Sequence, residues 1–359
     1  MGAQDARGVP DRRSTLRALA WRGFLLALAA AGLYFVWPNL VTLFSQAPGL
    51  ASIDWYWFAL MVVIEICSFF CMWGLQRLTI GEKSWFLIAT TQLASNAFSR
   101  IIPGGAASGG SVSYQLLGRT GISRTRLVTA LTATTLLSNA VLLALPVLSI
   151  PGILGGAPLS ANLIRAIEIG AVVLALIVGV GALMLFTNRP LYGIGVWAQR
   201  IRNFILRRRP RKTDLPENLV FERDMIRGVI GSRWWQALLF AAANWLFDWA
   251  ALLAALRAVG AHPHVSIVLI VYVVAALLGS LPFTPGGLGF VEVGLTALLP
   301  LAGVGAGEAA LAALAYRLVS YWLPIPSGVV GYFLYRRRYN GGEQESDEAE
   351  PGTQETDRA

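Results

Sequence analysis

Two Pro-Gly-Gly triplets, Pro103-Gly104-Gly105 and Pro285-Gly286-Gly287, interrupt segments that are otherwise among the most apolar of the chain. Proline removes a backbone donor and glycine weakens a helix. In hydrocarbon an unpaired peptide group costs several kcal/mol, so such a break is tolerated only where protein or a wet cavity covers it. Two of them make a shared cavity near the centre of a helical bundle the natural expectation. The plainer reading is that the glycines only let helices pack closely.

The runs around the breaks exclude a soluble fold. The 359 residues are 55% hydrophobic and 14% charged, where soluble domains carry about 25% charged residues. Several runs reach the ~20 residues needed to cross a ~30 Å hydrocarbon core. Leu16 to Trp37 follows a basic N-terminus, but it is long and no small-residue cleavage site follows, so it reads as a first span rather than a signal peptide. The net charge of +9 then points to basic cytoplasmic loops and not to nucleic acid.

Counting Lys and Arg along the chain sets the expected topology. Arg7, Arg12, Arg13 and Arg17 precede the first span (17–37), and Pro38 to Ile53 has no Lys or Arg. The N-terminus is therefore expected inside. The second span runs from the aromatic belt at Asp54-Trp-Tyr-Trp57 to about Leu75, with Arg77 and Lys83 inside after it. If Trp85–Ile102 crossed fully, Arg119, Arg124 and Arg126 would lie outside. A re-entrant hairpin turning at Pro103-Gly104-Gly105 keeps them inside. Leu127 to about Ile150, Ile164 to Phe186 and Trp234 to about Val259 then cross in turn. The strongly basic segment 188–233 is expected on the cytoplasmic face, where each basic residue gains ~1 kcal/mol beside anionic headgroups. The last run, Ala309 to Tyr335, ends in Arg336-Arg337-Arg338 and must travel inward, so Ser266–Val304 must also be a hairpin, entering from the outer face. The expected fold is an all-α polytopic membrane protein with about six full transmembrane helices and two opposed re-entrant hairpins, inverted-repeat-like. The rival is eight plain, kinked spans. Residues 1–14 and the acidic tail 339–359 are expected to be disordered, flanking a membrane domain over 15–338.

Charges at membrane depth are rare and are usually functional or paired. Glu65 and Asp248 fall mid-span, Arg100 lies just before the first break, Glu292 follows the second, and Arg317 lies within the last run. Arginine binds phosphate or carboxylate in fork geometry and stays charged when desolvated. Arg100, Arg317 and the helix N-termini at the breaks are thus candidates to hold an anion. Glu292 and Asp248 would pair with the arginines or carry protons, and the bland alternative is a set of ion pairs that only fixes the bundle. Glu168 and Arg257 lie near span ends and can snorkel. Cys67 and Cys71 read as packed thiols, and His262-Pro263-His264 as a polar turn. No metal site, cofactor motif, P-loop or nucleophile–base constellation is found.

The stretch Pro285-Gly-Gly-Leu-Gly-Phe-Val-Glu292, with the apolar Val293–Leu299 after it, resembles the C-terminal signature of the lysylphosphatidylglycerol synthase transmembrane (flippase-like) family. Asn96, Ile102-Pro-Gly-Gly105, Leu117 and Gly121-Ile-Ser123 are similar to its N-terminal half-signature. Tyr316-Arg317-Leu318, Tyr321-Trp322-Leu323-Pro324 and Gly328 resemble its last-span pattern. The resemblance covers roughly residues 15–338 and implies a lipid-translocating membrane domain. Bifunctional members carry a soluble aminoacyl-transferase domain after it; the polar tail here leaves no room for one, so lysyl transfer is not expected. Many members also place a basic residue soon after the first break, where this chain has Gly110-Ser-Val-Ser-Tyr114; Arg100 would then take that role.

The expected function is a plasma-membrane lipid transporter, both termini cytoplasmic, that moves an anionic or polyprenyl-linked lipid between leaflets without acting as an enzyme. Its site would comprise Arg100, Pro103, Gly104, Gly105, Asp248, Pro285, Gly286, Gly287, Glu292 and Arg317. Membrane lipids are the expected partners, with anionic headgroups at 188–233 and either a second copy or an envelope enzyme as protein partner. The alternatives are an intramembrane lipid-modifying enzyme and a non-transporting scaffold that docks envelope enzymes through 188–233.

Overall fold

A computed structural model describes residues 47–102, 105–151, 231–281 and 284–339, with a few isolated positions elsewhere. The expected spans at 17–37 and 164–186, nearly all of the 188–233 segment, Pro103, Gly104, residues 1–14 and the tail from Asn340 lie outside the described residues.

Every regular element among the described residues is helical: α1 (Trp55–Ile80), α2 (Trp85–Ile101), α3 (Gly105–Gly118), α4 (Arg124–Ala144), α5 (Trp234–Ala258), α6 (Val265–Gly279), α7 (Phe290–Leu298), α8 (Ala306–Arg317) and α9 (Pro324–Tyr339), joined in places by short 3₁₀ turns. Among the described residues four helical segments are long and apolar enough to cross a membrane: Trp55–Ile80, Arg124–Ser149, Trp234–Ala258 and Pro285–Ala302. The outward faces of these segments leave large apolar side chains uncovered, Trp55, Val63, Phe70, Leu136 and Leu239 among them, and Phe333 does the same on α9. Such a surface suits acyl chains and not water.

The helices on either side of each Pro-Gly-Gly element fold back on one another as hairpins. In the first, α2 and α3 lie side by side: Ser95 and Ser113 hydroxyls meet at 2.6 Å, and a Cβ on Gly109 would come within 2.9 Å of the Ser95 carbonyl oxygen. In the second, α6 runs in, the chain turns at Pro285–Gly287, and α7 with the Leu299–Ala302 turn runs back. The His264 amide, at the start of α6, donates to the Ala302 carbonyl at the end of the return. Thus Pro285–Ala302, although apolar enough to cross, folds back along α6.

The bases of the hairpins lie at opposite ends of α1. Ile80 packs with Leu87, Leu117 and Leu127 at the base of the first. Ile53, just before α1, packs with Ala261, Ile267, Ala302 and Val304 at the base of the second. The 26 residues of α1 rise ~1.5 Å each, so ~39 Å separates the two bases. The hairpins therefore point at each other, tips at mid-depth.

The turn at the second tip needs its glycines. Gly287 has φ +70°, and a Cβ there would lie 2.5 Å from the Gly279 Cα. Backbone crowds it from one side and conformation forbids a side chain on the other. A similar contact seats α9 against α2, where a Cβ on Gly328 would reach 2.4 Å from the Leu93 carbonyl oxygen, the small-residue packing by which helices approach closely in lipid. α5 lies along α1, with the Ser68 hydroxyl donating to the Asn244 carbonyl at 3.0 Å.

The last run departs from the single helix expected over Ala309–Tyr335. α8 and α9 are separated by a π-turn, Leu318–Trp322. The cause is Pro324. It has no N–H to give the Ser320 carbonyl four residues before it, and the Leu323 amide reaches back five residues to the Leu318 carbonyl at 3.1 Å. The turn leaves one carbonyl of the last run open at mid-depth, and it swings Tyr321 toward the hairpin tips.

Candidate functional site: a polar chamber between two hairpin tips

Tyr321 joins the tips. Its hydroxyl lies 2.8 Å from the Arg100 carbonyl oxygen, in the last turn of α2, and 3.1 Å from the Pro285 carbonyl oxygen. Its ring is flanked by both arginines: the Arg317 Cζ stands 4.3 Å from the ring centroid and the Arg100 Cζ 5.3 Å. Two guanidinium groups on one ring repel each other, and the ring's π-face offsets only part of that, about 0.5–2 kcal/mol per cation.

The two arginines are held differently. Arg317 Nε donates to Glu292 Oε1 at 2.6 Å, with both side chains more than nine-tenths buried. The other oxygen of Glu292 accepts the Gly289 amide at 2.6 Å, a carboxylate capping its own helix. Both oxygens of Glu292 are thereby occupied. The α7 N-terminus, expected to turn amides toward an anion, gives the Gly289 amide to this carboxylate instead. Arg317 Nη2 is buried with no hydrogen-bond partner among the described residues. Arg100 has neutral acceptors: Nε donates to Asn96 Oδ1 at 2.6 Å, and Nη1 donates to the Ser320 carbonyl, the oxygen that Pro324 leaves without its helical amide.

Around these groups lies a cavity of about 310 Å³, reached by α1, α2, α4, α5, α6, α7, α8 and the π-turn. Its polar lining comes from Glu65, Gln92, Asn96, Arg100, Asn244, Asp248, Tyr272, Tyr316 and Arg317, with Ser68, Ser138, Ser280 and Ser320. A second cavity of about 190 Å³ adjoins it through Glu65 and Phe69, which line both. Val62, Ile66, Trp73, Leu93, Val319 and Leu323 make that second cavity apolar.

Of the residues singled out from the sequence, Arg100, Asp248, Gly286 and Arg317 line the chamber. Pro285 and Gly287 form the turn beside it, and Glu292 stands behind Arg317. Gly105 starts α3. Asp248 lies on α5 and is not paired with an arginine: the Tyr272 hydroxyl donates to its Oδ2 at 2.5 Å, and the Tyr316 hydroxyl lies 2.9 and 3.0 Å from its two oxygens. Tyr272, Tyr316 and Tyr321 were not expected in the site. In an apolar run a tyrosine reads as packing or as an interface anchor, and only Pro324 hinted that the π-turn would present Tyr321. The histidine turn is a surface feature, where Arg257 contacts the His262 ring. Cys67 and Cys71 are free thiols.

Fold and site define a helical membrane protein whose interior holds a polar chamber where two broken hairpins meet. The chain belongs to the lysylphosphatidylglycerol synthase transmembrane-region family, whose model matches residues 22–328. It is also similar to proteins described as UPF0104 membrane proteins from Methanothermobacter thermautotrophicus. One match is 31% identical over 142 residues, 37% of this chain and 42% of the relative. Another is 33% identical over 94 residues, 26% of this chain and 27% of the relative. The chain thus spans less than half the length of the curated relatives it matches.

Proposed function

We propose that this protein moves an anionic or polyprenyl-linked lipid between the leaflets of the plasma membrane, with its headgroup in the chamber and its chain in the adjoining apolar cavity. The observation that carries the reading is that the two cavities lie side by side, with Glu65 and Phe69 lining both. A polar chamber alone would suit any small solute. A polar chamber with an apolar cavity beside it suits an amphiphile.

The charges favour an anionic headgroup. Arg100 has neutral hydrogen-bond acceptors among the described residues, and Arg317 keeps a buried nitrogen unpartnered. Both face the same ring, so an anion between them would relieve their repulsion and satisfy the free donor, at about 1.5–3 kcal/mol per charged hydrogen bond. The opposed hairpins supply the geometry of transport: a site at mid-depth, bounded by two elements anchored at opposite faces, can be uncovered from either side by rocking one against the other. In this reading both termini and the basic 188–233 segment are cytoplasmic, and that segment rests on anionic lipid. The chain performs no covalent chemistry.

The test is leaflet exchange in vesicles containing the purified protein, using fluorescent lipids quenched from outside by an impermeant reductant. Protein-containing vesicles should lose the protected inner-leaflet signal of an anionic lipid faster than empty ones. Folded protein that exchanges no lipid above the empty-vesicle rate refutes the reading.

A further inference from the structure

The chamber brings together three carboxyl groups and two guanidinium groups. Glu292 is matched by Arg317. Among the described residues Arg100 is the one cation left for Glu65 and Asp248, so they give the chamber one negative charge too many. Those two carboxyl groups, from α1 and α5, line the same chamber. Glu65 is 6% exposed, and its Oε2 is buried with no donor among its neighbours. Two carboxylates in one chamber, away from bulk water, repel strongly; one proton on the pair removes that repulsion and restores neutrality.

The surroundings say which of the two carries it. Asp248 accepts from the Tyr272 and Tyr316 hydroxyls, an environment that stabilises an ionised acceptor. Glu65 has no such donors. Among the described residues, the charged and titratable groups that line the chamber with the pair are Arg100 from α2, Tyr272 from α6, and Tyr316 and Arg317 from α8; from α4 the chamber receives Ser138, which does not titrate.

We propose that Glu65 and Asp248 hold one exchangeable proton between them, on Glu65 with Asp248 as acceptor, and that this proton travels with the anionic headgroup. The second half rests on the lipid-transport reading; the first does not. The proton comes from water in the chamber, adds to a Glu65 carboxylate oxygen, and leaves as the same oxygen returns it to water. Linkage joins it to the lipid: a headgroup anion beside Arg100 takes up the positive potential that would otherwise stabilise an ionised Glu65. Anion binding and proton retention therefore strengthen each other by the same factor.

Two measurements test the two halves. The first is infrared difference spectroscopy of the purified protein in H₂O and D₂O, without lipid reporter. Wild type should show the carbonyl stretch of a protonated carboxylic acid at neutral pH, shifted in D₂O, and Glu65→Gln should lack it. Persistence of the band in Glu65→Gln, or its absence from folded wild type, overturns the shared proton. The second is the leaflet distribution of an anionic fluorescent lipid in vesicles carrying a proton gradient at equal sodium on both sides. One proton per lipid predicts that one pH unit shifts the leaflet ratio up to about tenfold in wild type and leaves it unmoved in Glu65→Gln. A ratio that ignores the proton gradient, or that follows a sodium gradient at fixed pH, overturns the coupling. A protein that shows the band yet moves no lipid supports the shared proton and removes the transport reading.

Discussion

At the tip of the α6–α7 hairpin, charge and conformation are spent locally. Glu292 caps its own helix through the Gly289 amide and closes a buried ion pair with Arg317, and Gly287 sits where neither its φ nor its backbone neighbour admits a side chain. At the tip of the α2–α3 hairpin the charge is kept available. Arg100 donates to an amide oxygen and to a carbonyl, and Gly110, one turn beyond the break, has nothing within 4 Å of where a Cβ would stand. Both tips solve the same problem, an opened backbone at membrane depth. One ties its charge into a buried ion pair; the other leaves its cation on neutral acceptors. A pair of broken helices thus need not be built alike: the second tip fixes the chamber wall, and the first turns a cation into the chamber.

The largest expected effect breaks the ion pair. Glu292→Ala leaves Arg317 buried without its carboxylate and uncaps α7. Loss of one partner of a buried pair costs about 3–5 kcal/mol. The prediction is a large fall in the unfolding midpoint in detergent, or no folded protein at all. A midpoint within a degree or two of wild type would show that the ion pair is not structural.

The two tip glycines give the next contrast. Gly287→Ala must strain the backbone and push on Gly279, for roughly 1–3 kcal/mol of strain with overpacking added. Gly110→Ala fills open space within a helix and should be neutral or stabilising by about 0.5–1 kcal/mol. Thermal unfolding of the two variants side by side checks this. Equal losses would erase the distinction between the crowded Gly287 and the open Gly110.

A smaller effect sharpens the link between the tips. Tyr321→Phe keeps the ring between the arginines and removes the hydroxyl that reaches the Arg100 and Pro285 carbonyls. The expected loss is about 0.5–1.5 kcal/mol, with hydrogen exchange rising at the ends of both hairpins. Exchange that rises at one tip alone would mean that Tyr321 does not join them.

Much of this architecture was legible in the sequence because lipid makes its rules strict. A Pro-Gly-Gly inside an apolar run has few permitted outcomes, and the arginines at 119, 124 and 126 could stay on the side of Arg77 and Lys83 only if the chain turned back. Rarity likewise singled out Arg100, Asp248, Glu292 and Arg317. What could not be read was partnership. Glu292 meets an arginine 25 residues away and Asp248 meets two tyrosines instead of one, and a single sequence carries no record of which helix faces which. Glu65 was visible as a mid-span charge, but its place beside Asp248 depends on the α1–α5 packing. The π-turn had a visible cause in Pro324, yet that Ser320 would offer its carbonyl to Arg100 follows only from the position of the first hairpin.

The comparison between the tips comes down to Arg100. The most direct measurement is leaflet exchange by wild type and Arg100→Gln at matched folding, each with an anionic and a zwitterionic fluorescent lipid. If Arg100 holds the headgroup, wild type exchanges the anionic lipid faster than the zwitterionic one. Arg100→Gln then loses that preference, its anionic rate falling at least about tenfold, in line with a charged hydrogen bond of about 1.5–3 kcal/mol. Equal anionic rates in folded wild type and Arg100→Gln would contradict the account.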